Sequence, residues 1–114
     1  MQTWTSPTGR LTTLELEGEW DLSRASRLRF AVLTALDNPR LRLLVIDLRH
    51  VTFMDVAVIS CLALAARRCQ HHDVGFLLLQ PTRQVAKVLA LTGLQQFVHS
   101  EEAASLDRPK QFRA

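Results

Sequence analysis

The sequence predicts an α/β fold: a mixed β-sheet with an antiparallel N-terminal hairpin, a parallel core and about four helices. Three observations predict it. Leu43-Leu44-Val45-Ile46, closed by Asp47, is an apolar block of branched side chains without alternation. Such a block reads as a strand buried on both faces, with helices above and below. Val74 to Leu79 is a second apolar run of this kind, after the polar His71-His72-Asp73. Elsewhere the apolar residues recur at spacings of three and four, the signature of helices with one buried face.

Taken in order, Gln2 to Thr5 predicts a short edge strand. Ser6-Pro7-Thr8-Gly9 is a turn, with proline presetting φ and glycine free to take φ > 0. Leu11 to Glu17 alternates, Leu14 and Leu16 on one side, Thr13, Glu15 and Glu17 on the other. It predicts a half-exposed strand antiparallel to the first. Gly18-Glu19-Trp20-Asp21 is read as the end of that strand. Asp21 and Ser23 are both candidate N-caps for a helix carrying Ala25, Leu28, Val32, Ala35 and Leu36 inward. Asn38-Pro39 stops it, because the residue before proline avoids the helical region.

The central strand follows, then a connector, then Phe53-Met54-Asp55. Beyond Asp55 the series Val58, Ile59, Leu62, Ala65, Ala66 and Cys69 predicts a second helix. Asp55 stands at its entry, where a carboxylate accepts from free N–H groups and meets the positive end of the helix dipole. Pro81-Thr82 opens a third helix with Val85, Val88 and Leu89 inward, and Gly93 is placed to end it in the left-handed conformation. Leu94 to His99 predicts a short last strand. Ser100-Glu101-Glu102-Ala103 predicts the start of a fourth helix.

The chain has 114 residues, 47% of them hydrophobic, which predicts one domain over 1–114, with a core over about 11–106 and a polar tail over 107–114. No apolar run approaches the roughly 20 residues of a membrane-spanning helix, so no direct membrane insertion is expected. The first residues do not pair a basic segment with an apolar one, and no signal peptide is read there. Cys61 and Cys69 fall on one helix roughly 12 Å apart, too far for a disulfide. Two reduced cysteines predict a cytoplasmic protein. Net charge is +3, but the arginines, among them Arg24, Arg42, Arg67 and Arg83, are spread along the chain, only 6% of residues are aromatic and none is tyrosine. That distribution argues against a nucleic-acid partner.

No catalytic site is read. Neither glycine-rich nucleotide motif is present. His71-His72 do not share a helix face and lack further ligands at metal spacing, so no metal and no cofactor is expected. Cys69 reads as a buried structural thiol. Two acids remain, Asp21 and Asp55, each at a strand end and a helix start. If their strands are neighbours, both sit on one edge of the sheet. They are helix caps, a polar recognition rim, or both. An enzymatic reading fails because no set of nucleophile, base and oxyanion donor can be named.

In order along the chain, Gly18-Glu19 with Asp21, then Asp47-Leu48, then Val51-Thr52-Phe53-Met54-Asp55, then Leu91-Thr92-Gly93-Leu94 resemble the STAS domain. Bacterial anti-sigma factor antagonists are its best-known members. The resemblance runs from about Leu11 to Leu106. It implies the family's mixed sheet with helices and a role in protein binding. In that family the antagonist binds an anti-sigma factor that is also a serine kinase. The kinase phosphorylates the serine after the motif aspartate, and the complex separates. The family's D-S-S-G-L-G is Asp55-Val56-Ala57-Val58-Ile59-Ser60 here. Val56, at the phosphoacceptor position, has no hydroxyl, nor does Ala57. The resemblance therefore implies a module that binds an anti-sigma factor/serine kinase through Asp21, Asp55, Val56, Ala57, Val58 and Ser60, without the serine switch. STAS-like domains also serve as accessory subunits of ABC transport complexes in lipid trafficking, so an ABC ATPase is the alternative partner. Trp4 and Trp20 are candidates for a homodimer contact, with packing under the sheet as the equal alternative.

Overall fold

The computed structural model describes residues 1–99. The strands are β1 (Gln2–Thr5), β2 (Leu11–Trp20), β3 (Leu43–Met54), β4 (Gly75–Leu79) and β5 (Val98–His99). The helices are α1 (Leu22–Leu36), α2 (Val56–His71) and α3 (Arg83–Leu91), followed by a 3₁₀ turn over Leu94–Phe97. The strands form one sheet in chain order, β1-β2-β3-β4-β5. β1 and β2 are antiparallel, and every later pair is parallel. The expected hairpin and parallel core are both present. Among the described residues there are three α-helices where about four were expected. Leu94–Phe97 forms a 3₁₀ turn, and the helix expected from Ser100 and the polar tail lie outside the described residues.

Alternation along the strands separates two faces. Leu14, Leu16, Leu44, Ile46, Leu48 and Leu78 share a core with Leu28 and Val32 of α1, Ile59 and Leu62 of α2, and Val85 and Leu89 of α3. The opposite face holds a smaller cluster, Leu11, Val45, Leu77 and Leu79. So the described helices lie on one face, not above and below as the apolar run of β3 suggested. The run is apolar because Val45 belongs to the second cluster while Leu44 and Ile46 belong to the first.

Two strands run further than their sequences suggest. β2 does not stop at Gly18. Its register against β3 shifts between Glu15 and Glu17 and again between Gly18 and Glu19, and Gly18 takes φ +80°. A glycine with positive φ inside a strand makes a bulge, which bends the strand and lets it continue. β3 likewise continues beyond Asp47, the partner of Leu79 at the end of β4, as far as Met54. Met54 pairs with Trp20, so the two long strands end side by side. The hydroxyl of Thr82, the N-cap of α3, donates to the carbonyl of Val51 at 3.4 Å and holds α3 against the extension.

Candidate functional site

The ends of β2 and β3 place Asp21 and Asp55 on one edge of the sheet. The backbone N–H of Asp55 donates to the Trp20 carbonyl at 3.1 Å, which fixes the two turns against each other. Each aspartate is in an extended conformation and caps the helix that follows. Asp55 Oδ1 accepts from the N–H of Ala57 at 2.9 Å and of Val58 at 3.3 Å. Asp21 Oδ1 accepts from the N–H of Ser23 at 2.9 Å and from its hydroxyl. These bonds from Ser23, the hydroxyl first and then the backbone, hold the Asp21 carboxyl below its ordinary value. Both carboxylates therefore satisfy helix N–H groups that would otherwise lack partners. Ser23, the other candidate cap, supports Asp21 instead.

The bulge shapes the floor beneath this edge. Trp20 is fully buried, and its indole Nε1–H donates to the Glu17 carbonyl at 3.0 Å. Arg24 also donates to that carbonyl, at 3.2 Å, and its guanidinium lies 5.2 Å from the Trp20 ring centroid. Trp20 is thus a core residue and unavailable for a dimer contact, whereas Trp4 on the edge strand is exposed.

The remaining candidates divide by helix geometry. Val56 is the first residue of α2 and is 75% exposed. Ala57 is half-buried and Ser60 exposed. Val58, expected on the binding rim, is fully buried. It is the third helical residue and faces the sheet in line with Ile59 and Leu62, so it supports the rim from below. Sequence reasoning missed Leu22, the first residue of α1, which is 70% exposed. Leu22 follows Asp21 as Val56 follows Asp55, so each cap is followed at once by an exposed aliphatic residue. Phe53, near the end of β3, is also exposed, at 45%. The signal was available in the sequence: an apolar residue next to an N-cap falls outside the inward series Ala25, Leu28, Val32.

Elsewhere no group of three or more metal-ligating side chains is found among the described residues. Cys61 and Cys69 are free thiols. Burial pushes the Cys69 thiol up to about 11. No described helix is long and apolar enough to cross a membrane.

A family model described as "Mlab, STAS domain" matches residues 5–99. The chain belongs to the STAS-domain family. This STAS domain resembles solved structures across nearly its whole length. The unphosphorylated anti-sigma factor antagonist SpoIIAA superposes with a TM-score of 0.81 at 22% identity, covering 96% of this chain and 95% of that one. An anti-sigma factor antagonist from Mycobacterium paratuberculosis gives 0.72 at 22% identity, covering 94% and 93%. A sulfate transporter family protein from Wolinella succinogenes gives 0.70 at 18% identity, covering 93% and 90%. At these identities the structural likeness concerns the fold. Among curated proteins no sequence relative is found at a significant level.

Proposed function

We propose that this STAS domain is a non-catalytic interaction module of the anti-sigma factor antagonist type, one that its partner cannot release by phosphorylating the usual serine. The partner class is an ATP-binding anti-sigma factor that is also a serine kinase. The binding surface is the rim made by Asp21, Leu22, Phe53, Asp55, Val56, Ala57 and Ser60. The observation that carries this reading is Val56: an exposed side chain without a hydroxyl, first in the helix that Asp55 caps. SpoIIAA, similar in fold, is known in a phosphorylated form. Phosphate at the start of α2 would add nearly two negative charges beside the Asp55 carboxylate, which already accepts from the helix N–H groups. Valine offers the partner an apolar contact instead, and exposed apolar residues at a rim suit an interface.

The test is binding to a serine-kinase anti-sigma factor with and without ATP. The complex should persist in ATP, and Val56→Asp should weaken it by about tenfold or more, as expected for an apolar contact replaced by a charge. Release of the natural chain by ATP would contradict the reading.

The likeness to a sulfate transporter family protein favours one second reading, an accessory subunit of a transport complex. Co-purification separates the two. An ABC ATPase and permease would place the domain in transport, a sigma-control kinase in transcription. Both readings use the fold for binding. Nucleotide hydrolysis by the pure domain, lost in Asp55→Ala, would contradict both.

A further inference from the structure

The two parallel crossovers leave a groove that the rim does not use. α1 follows β2 and α2 follows β3, and β2 and β3 are parallel, so the two helices run alongside each other in the same direction. They meet closely where the thiol of Cys61 lies 3.7 Å from the Ala25 carbonyl. Further along they part, leaving a groove of about 260 Å³ lined by Arg29, Val32, Leu33, Cys61, Leu64 and Arg68. Leu64 is 49% exposed, and one arginine stands on each helix. Among the described residues neither the Arg29 nor the Arg68 side chain makes a hydrogen bond or an ion pair.

An apolar floor between two cations asks for an occupant with the opposite arrangement: apolar side chains between carboxylates. Size decides its class. The groove is open and smaller than the roughly 300–1,000 Å³ that encloses a small molecule. A volume of this size takes one or two large side chains, and a seam between two parallel helices is shaped for a third. An amphipathic helix presents such anchors at i, i+3, i+4 and i+7. We propose that the α1–α2 groove receives an acidic amphipathic helix of a protein partner, its apolar anchors between Leu33 and Leu64 and its carboxylates on Arg29 and Arg68. This rests on the reading of the domain as a protein-binding module and adds a second contact surface to the rim.

Cys61 makes the groove testable. It is half-exposed on the floor, while Cys69 is fully buried and stays protonated near neutral pH. Alkylation with iodoacetamide at pH 8 therefore reports on Cys61. The probes are two designed helical peptides of about fifteen residues, with leucine at i, i+4, i+7 and i+11 and flanking positions all glutamate in one and all lysine in the other. At about ten times its dissociation constant the glutamate peptide should slow alkylation about tenfold, and the lysine peptide should not. The double variant Arg29→Glu/Arg68→Glu should reverse that preference. Leu64→Ala, a milder change at an exposed position, should weaken protection by the glutamate peptide. Equal protection by both peptides, no protection at millimolar glutamate peptide, or an unchanged preference in the double variant would overturn the proposal. Protection by decanoate but not by the glutamate peptide would overturn it in favour of a small-molecule site. Val56→Asp separates this proposal from the rim: it should weaken kinase binding and leave peptide protection of Cys61 intact.

Discussion

Asp21 and Asp55 illustrate how one residue type at one kind of position builds the edge proposed for binding. Each carboxylate is spent on the helix that follows, so the proposed rim would offer a partner the aliphatic residue next to it. Removing the Asp55 cap in Asp55→Ala should lower stability by about 1 kcal/mol, read as a shift of the urea unfolding midpoint. Asp21 carries a pH signature. Its folded value lies below the ordinary 3.8 because Ser23 donates to it. Its contribution is therefore complete above pH 3.8 and is lost as pH falls through the lowered folded value. An NMR titration should place the Asp21 midpoint below 3.8, and Ser23→Ala should move it back up. Cys69 behaves in the opposite sense. An unfolded thiol titrates near 9.0 and the buried one near 11. Stability is unaffected below pH 9 and should fall as pH rises from 9 towards 11, and Cys69→Ala should remove that part of the fall.

Among the elements, β2 depends on a single backbone feature. Gly18 at φ +80° lets the strand bulge and continue to Trp20, and the bulge leaves the Glu17 carbonyl free for Trp20 and Arg24. Nothing crowds a Cβ at Gly18, so Gly18→Ala isolates the backbone cost, about 1–2 kcal/mol, measurable by chemical unfolding. The same residue shows where sequence reading ran out. Gly18-Glu19-Trp20 looks like a strand terminus because glycine is depleted in strands, and the bulge becomes visible only with the register against β3. The second half of β3 was hidden for a related reason. Arg49, His50, Thr52 and Phe53 are exposed there, so the segment lacks the apolar density of Leu43–Ile46, and its pairing with β2 is a long-range fact. The helices were legible because their signals are local: Asp21, Asp55 and Thr82 cap them, and Gly93 follows α3 at φ +78°. Val58 was legible too. Its place in the series with Ile59 and Leu62 marked it as inward, although the motif comparison drew it onto the rim.

At the scale of the whole molecule, the sheet presents a helix-covered face and a second face with its own small cluster. Asp47 is buried on that second face at 3% exposure, and its carboxylate accepts three hydrogen bonds from the Arg49 guanidinium and one from the Arg49 backbone N–H. Asp47 pairs in register with Glu15 and Leu79 at the centre of the sheet. Arg49→Ala would leave that carboxylate without its charged donor and should cost about 1–3 kcal/mol, whereas a substitution at exposed Arg67 should cost under about 0.5 kcal/mol. The rim, the groove and this face derive from one arrangement: long parallel strands ending together, with α1 and α2 laid side by side. The rim carries the central proposal, a binding edge without the serine switch. The most direct measurement is phosphate stoichiometry by intact mass after incubation with a serine-kinase anti-sigma factor and ATP, for the natural chain and for Val56→Ser. No phosphate is expected on the natural chain and one on the variant, at residue 56. Stoichiometric phosphate on Ser60 of the natural chain would contradict it.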